Sequence, residues 1–144
     1  MRILITGGAG FIGTNVTLSA IQRGHTVLNV DCLSYAGSLT NLVSIEKHPR
    51  YSFEQTDIRD QDKIHKIFEN FQPEYIFHLA AESHVDRSID SAFTVLSTNI
   101  MGTCTLLDEF TKYWVKKGCP DNIIFHHIST DEVFGSVKNN IRFN

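Results

Sequence analysis

The chain has 144 residues, with 13 lysines and arginines against 16 aspartates and glutamates, a formal net charge of −3, and 42% apolar residues. That length and apolar share suit one soluble domain with a single substantial core, and they argue against intrinsic disorder or a second full-sized domain. The slightly acidic balance argues against a nucleic-acid binder, which would gather uncompensated Lys and Arg on one face.

Arg2 to Thr6 reads as a first strand, because an unbroken apolar run ending in a glycine turn is what a strand buried on both faces requires. A helix is expected from about Phe11 to Arg23, where Ile12, Val16 and Ala20 recur at four-residue spacing and Gly24 supplies a stop. Thr26 to Val30 gives a second strand, and residues 38 to 47 a short helical segment closed by Pro49. Tyr51 to Gln55 is the third strand, after which Asp60 to Phe71 places Ile64, Ile67, Phe68 and Phe71 on one helical face. Glu74 to His78 makes a fourth strand. From about Ser91 to Lys117, apolar or small residues at Val95, Leu96, Ile100, Leu106, Leu107, Phe110 and Trp114 predict a long buried helix. Asn122 to Ile128 is the fifth strand.

Strands that alternate with helical crossovers must run parallel, since each return crosses a face of the sheet. The predicted class is therefore a doubly wound parallel α/β fold. Ligands of such sheets sit beyond the carboxyl ends of the strands, where the strand order reverses. Chemistry is accordingly expected at Thr6 to Gly13, Asp31, Asp57, Leu79 to Ser83 and Ser129 to Gly135.

The segment Thr6-Gly7-Gly8-Ala9-Gly10-Phe11-Ile12-Gly13 contains G-x-G-x-x-G at Gly8, Gly10 and Gly13, between a strand and a helix. Glycines permit the tight turn and close backbone approach that bring unpaired amides at a helix start onto a diphosphate. A glycine motif by itself often marks only a turn, but one that opens a βαβ unit points to a dinucleotide. Asp31, at the end of the second strand, is placed to accept hydrogen bonds from the adenosine ribose hydroxyls. Cys32, Leu33 and Ser34 follow it, so no adjacent arginine is on hand to neutralise a 2′-phosphate, which favours NAD over NADP. Asp57, at the end of the third strand, suits either a helix N-cap or an adenine contact. Leu79-Ala80-Ala81 offers small side chains against which a flat cofactor could lie, or simple helix packing.

The apolar runs Ile3-Leu4-Ile5 and Ile123-Ile124-Phe125 fall far short of the ~20 residues that span a bilayer. No charged leader with an apolar core precedes the first strand, so no secretory signal is expected. Cys32, Cys104 and Cys119 lack paired spacing, and reduced thiols in the cytoplasm are the expectation. Seven histidines raise the question of a metal, but His126 and His127 are consecutive on a strand and must face opposite ways, and no metal is expected.

Several stretches together resemble a known family. Beside Thr6 to Gly13 stand Asp31 with Tyr35-Ala36-Gly37, and His78-Leu79-Ala80-Ala81-Glu82-Ser83-His84-Val85-Asp86-Arg87-Ser88. Thr98-Asn99-x-x-Gly102-Thr103 and His127-Ile128-Ser129-Thr130-Asp131-Glu132-Val133 complete the set. The combination is similar to dTDP-glucose 4,6-dehydratases, members of the extended short-chain dehydrogenase/reductases, over residues 2 to about 135. The glycine loop is common to the superfamily, whereas Glu82 to Asp86 and Thr130-Asp131-Glu132 discriminate far more.

The resemblance implies a Rossmann-like NAD-binding domain over residues 1–135, cut before the sixth strand and the substrate domain, with 136–144 an atypical tail. It implies that Gly7, Gly10, Phe11, Ile12 and Gly13 hold the pyrophosphate, that Asp31, Cys32, Leu33 and Ser34 line the ribose, and that Asp57 and Ile58 hold the adenine. Leu79, Ala80, Ala81, Glu82, Ser83 and Thr98 would complete the cofactor wall, with Ser83 also touching the sugar. His84 could be a contact to substrate or a plain loop histidine.

Adjacent carboxylates in unlike surroundings can act as general acid and general base, although an isolated Asp-Glu pair is more often a solvated loop or cap. By resemblance, Asp131 protonates the C6 hydroxyl, Glu132 removes the C5 proton, and Thr130 hydrogen-bonds the substrate near C4. The implied reaction is an internal redox cycle on a nucleotide sugar. Hydride leaves C4 for NAD+, water is eliminated across C5 and C6, and the hydride returns to C6. Full-length relatives of this kind are expected to be homodimers.

The superfamily also uses a Tyr-x-x-x-Lys pair after the fifth strand, where the lysine lowers the tyrosine pKa. Here all four tyrosines precede that strand. Tyr113-Trp114-Val115-Lys116-Lys117 matches the spacing in the wrong place, and Phe134-x-x-x-Lys138 has the spacing with a phenylalanine. A non-catalytic NAD-binding module, or another nucleotide-sugar dehydratase or epimerase, are the competing readings.

Overall fold

The computed structural model describes residues 1–84 and 91–135. The tail 136–144 and the motif residues Val85, Asp86, Arg87 and Ser88 lie outside the described residues, as does Lys138. Five strands form one sheet: β1 (Arg2–Thr6), β2 (Thr26–Asp31), β3 (Tyr51–Gln55), β4 (Tyr75–His78) and β5 (Ile124–His127). Their order is β3-β2-β1-β4-β5, and every pairing is parallel. The chain builds outward from β1 to β3 and then returns to place β4 on the other side of β1. The reversal therefore lies between β1 and β4, as a doubly wound sheet requires.

Why β1 is apolar throughout is plain from its two faces. Ile3 and Ile5 pack with Val27, Ala20, Ile21, Leu42 and Ile45 on one side. Leu4 packs on the other with Leu28, Val30, Ile76, Ile64, Ile67, Phe68, Leu106 and Tyr113. The first layer is supplied by α1 (Phe11–Gln22) and the 3-10 segment Leu39–Ile45, and the second by α2 (Gln61–Phe71) and α4 (Thr103–Lys116). Alternate residues of one strand thus feed two cores, which only a continuous apolar run can do.

Most helix boundaries follow the expected punctuation. Gly24, at φ +85°, ends α1 in the left-handed conformation that glycine adopts readily. Asp60 caps α2 by accepting a hydrogen bond from the Lys63 N–H.

The segment after β4 departs from the expected long buried helix. α3 (Ala92–Leu96) runs into a π turn, Ser97–Gly102, before α4 begins. A π turn carries an extra residue, so it shifts the phase of the apolar pattern. The residues α4 buries are Leu106, Glu109 and Tyr113, while Leu96, Ile100 and Leu107 are exposed. Counting apolar residues overlooks Glu109 and Tyr113, which bury their bodies because their polar ends find partners. Among the described residues no helix is long and apolar enough to cross a membrane.

Candidate functional site

The glycine loop owes its residue types to two different constraints. Gly7 has φ +73°, and a Cβ there would lie 2.7 Å from the Ala80 amide nitrogen. A Cβ on Gly13 would lie 2.0 Å from the Gly7 carbonyl oxygen, and one on Gly8 would lie 2.2 Å from Asn29 Oδ1. The atoms met at Gly7 and Gly13 are backbone, so packing demands glycine there, whereas at Gly8 they are the end of the Asn29 side chain. Gly10 differs, because a Cβ there would meet only the Gly7 oxygen at 3.3 Å. It is the N-cap residue of α1, and no side chain caps that helix. The first-turn residues Phe11 and Ile12 stand 87% and 60% exposed beside it, which gives that end of the helix an apolar border.

Asp31 closes the other side of the loop. Its buried carboxylate accepts hydrogen bonds from the backbone N–H of Ala9 at 3.0 Å and of Leu33 at 2.8 Å. The Ser38 N–H donates to the Ala9 carbonyl, so the chain beyond β2 is tied back to the glycine loop. Cys32 and Ser34 are exposed at this edge and Leu33 is half-buried. The structure thus brings the loop and the carboxylate of the neighbouring strand into direct contact.

For Asp57 the two roles open in the sequence separate. The cap of α2 is Asp60, and Asp57 instead folds back on Arg59. Its Oδ1 accepts the Arg59 backbone N–H at 2.9 Å, and Arg59 Nη2 and Nε donate to the carboxylate at 2.6, 3.0 and 3.1 Å. These bonds from Arg59 hold the Asp57 carboxyl below the usual carboxylate range. Ile58 is buried, and a Cβ on Gly102 would strike its side chain at 2.6 Å, so the π turn packs directly on the end of β3.

Leu79 to Ser83 follow β4 along the opposite wall. Leu79 and Ala80 are half-buried, and Ala81 and Ser83 exposed. Asn99, next to Thr98 in the π turn, accepts the Glu82 N–H at 2.8 Å and donates to the Glu82 carbonyl at 2.9 Å. That two-point clamp fixes the wall to the helix. Beneath it, His78 bonds Thr6 Oγ1 through Nδ1 at 2.7 Å and Thr103 Oγ1 through Nε2 at 2.9 Å. The rings of Tyr35 and His84 approach edge to face at 6.2 Å, which brings the loops after β2 and β4 together.

Beyond β5, Thr130 is exposed and Asp131 and Glu132 begin a 3-10 turn, Asp131–Phe134. This backbone stands at the carboxyl end of the sheet, the same edge as the glycine loop. Tyr113 lies elsewhere: it is buried in the core, donates to the Pro73 carbonyl at the opposite end of the sheet, and has its phenol pushed up by burial. His126 and His127 do face opposite ways, His126 against Tyr75 and Phe77 and His127 stacked on His78 at 5.0 Å.

His78 and Asn99 stand in the stretches that carry the resemblance without a role of their own, and Arg59 stands in none; all three take their places at this edge through side-chain direction, which spacing does not encode.

Comparison with known proteins agrees with this geometry. The chain matches the family described as GDP-mannose 4,6 dehydratase over residues 4–144. It is 51% identical over 140 residues to a dTDP-glucose 4,6-dehydratase of Salmonella typhimurium, covering 95% of this chain and 39% of that protein. The fold superposes on a dTDP-glucose 4,6-dehydratase of Bacillus anthracis solved in complex with NAD, with a TM-score of 0.84 and 34% identity over 100% of this chain and 42% of that one. A dTDP-glucose 4,6-dehydratase of Streptomyces venezuelae with NAD and TYD bound gives 0.78 and 40% identity, over 96% of this chain and 42% of that one. The chain thus spans about two-fifths of the length of these relatives. With a Rossmann-like sheet, a glycine loop bonded to the carboxylate of the next strand, and a match along nearly its whole length, the chain belongs to the GDP-mannose 4,6 dehydratase family.

Proposed function

We propose that this chain is the NAD-binding part of a dTDP-glucose 4,6-dehydratase, and that it carries the acid and base of the elimination. The observation that carries the reading is the contact of Asp31 with the Ala9 N–H, which joins the ribose-reading carboxylate to the glycine loop. The residues fit a dinucleotide. A Cβ on Gly10 would meet only the Gly7 carbonyl oxygen, the start of α1 lacks a side-chain cap, and small residues line the facing wall. Bound NAD would supply a hydride acceptor and donor within one turnover.

The chain's own residues do the rest. First-turn amides beside Gly10, Phe11 and Ile12 bind the diphosphate, with the positive end of the helix dipole toward it. Asp31 accepts from ribose hydroxyls on the lone pairs its two backbone donors leave available. Ile58 and Asp57 border the adenine end, and Leu79 to Ser83 with Thr98 form the wall along the cofactor. Thr130 orients the sugar. Asp131 delivers a proton to the hydroxyl leaving C6 as water, while Glu132 takes the proton from C5, so one proton is given and one received.

Calorimetry with NAD+ on the 144-residue chain tests the cofactor half. Saturable heat that disappears in Asp31→Ala is expected, and no heat up to millimolar NAD+ overturns it. Incubation with NAD+ and dTDP-glucose tests the rest. The 4-keto-6-deoxy product marks a dehydratase, a 4-epimer an epimerase, and binding without turnover a non-catalytic module.

A further inference from the structure

We propose that Asp57 and Arg59 form a latch that sets dinucleotide choice: held by Asp57, Arg59 is withheld from the adenosine ribose, and the site takes the dinucleotide lacking a 2′-phosphate. The inference rests on the NAD-binding reading above and deepens it.

The placement comes from the sheet. Gln55, the last residue of β3, is the register partner of Asp31, and the Thr56 N–H donates to the Asp31 carbonyl at 3.1 Å. Gln55 Nε2 also reaches the Cys32 carbonyl at 3.4 Å. The turn from Asp57 to Arg59 therefore leaves the sheet directly beside the ribose-reading segment. Arg59 then crosses this edge, with Nη1 donating to Ser97 Oγ in the π turn at 3.1 Å. The hydrogen-bonded Asp57 carboxylate raises the guanidinium pKa.

Arginine is the residue most suited to a ribose 2′-phosphate, because its planar fork matches phosphate oxygens. One stands on the turn that leaves β3 beside Asp31, yet its fork already donates to a carboxylate and a hydroxyl. Asp57 thereby cancels the charge that a 2′-phosphate would need. Asp31 adds repulsion from its own side. The pair is partly exposed, 36% for the Asp57 side chain and 42% for Arg59, so the arginine has room to turn once its partner is neutralised.

The test is calorimetric titration of the 144-residue chain with NAD+ and with NADP+, read as the ratio of the two affinities. The wild-type chain is expected to favour NAD+. Asp57→Asn is expected to raise the relative affinity for NADP+ by about tenfold, since one unpaired guanidinium then faces the added phosphate. Arg59→Met in the same chain should abolish that gain. The gain should also shrink as salt rises from about 50 mM to about 500 mM, as a charge effect requires. A merely structural Asp57 would weaken both ligands alike and leave the ratio fixed. Arg59→Met with Asp57 intact gives a second route: the Asp57 carboxylate is then uncompensated beside the site, and the ratio should move further toward NAD+. An unmoved ratio in the folded variants, a gain that survives loss of Arg59, or a wild-type chain that binds NADP+ as well as NAD+ overturns the latch alone. A wild-type chain that binds neither overturns the NAD-binding reading and the latch with it.

Discussion

His78 and Thr6, at the carboxyl ends of the adjacent strands β4 and β1, share a hydrogen bond of 2.7 Å inside the protein. Burial, and after it the charge of His127, lowers the His78 pKa to about 4. An imidazole held below its unfolded value binds its proton more readily in the unfolded chain. The stabilising contribution is therefore complete above about pH 6.5 and is lost as pH falls from there toward about 4. Urea unfolding at about pH 7 and pH 5 should show the wild-type chain losing about 2 kcal/mol more than His78→Gln, which cannot titrate. Equal losses in the two proteins would remove His78 from the account of acid stability.

Glu109 is the buried polar anchor between α2 and α4. Burial pushes its carboxyl up, but hydrogen bonds from Lys112 at 2.8 Å, Gln61 at 2.8 Å and His65 at 2.8 Å outweigh it and bring the pKa to about 2. A depressed carboxyl contributes stability that is present above about pH 4.5 and lost as pH falls toward 2. Glu109 is buried but its partners Lys112 and His65 are half exposed and can turn to water, so Glu109→Ala is expected to destabilise the chain by about 1 kcal/mol. Denaturant unfolding measures it. A change under about 0.5 kcal/mol would mean that the network is in balance with water and anchors nothing.

What was legible in the sequence follows from what the backbone enforces. Gly7 and Gly13 can be read because positive φ at the first and close backbone approach at both admit almost no other residue. The strands can be read because β1 feeds two cores and must be apolar throughout. Asp57 and Asp60 were harder, since both precede the same helix and a shift of one turn decides which caps it. Arg59 is not legible from the neighbours of Asp31 in sequence, because it arrives beside that segment from the next strand. The phase of the helix after β4 escaped because a π turn leaves no compositional mark.

Asp31 holds two backbone N–H groups as well as the proposed ribose. Asp31→Ala strands the Ala9 and Leu33 donors, and a buried donor without an acceptor costs about 1–3 kcal/mol. Loss of stability without ligand is therefore expected together with loss of the thermal stabilisation that NAD+ gives the wild-type chain. A variant that melts as the wild type does would show that water replaces the carboxylate, and that the contact is incidental.

Gly10 and Gly13 belong to one motif yet should fail differently when a methyl group is added. Gly13→Ala drives a Cβ to 2.0 Å from the Gly7 carbonyl oxygen, a collision with backbone that cannot swing aside. Destabilisation of about 3 kcal/mol or more is expected, as for severe overpacking. Gly10 has φ −77°, open to any residue, and its Cβ would meet only one atom, at 3.3 Å. Gly10→Ala should therefore stay within about 1 kcal/mol of wild type, since it also loses freedom in the unfolded chain. On the proposed reading its methyl group would crowd the diphosphate at the first-turn amides, and NAD+ affinity should fall about tenfold or more. Denaturant unfolding and calorimetry on both variants separate the two effects. Wild-type affinity for NAD+ in Gly10→Ala would move the diphosphate away from this loop, and wild-type stability in Gly13→Ala would show that the close approach of Gly13 to Gly7 can relax.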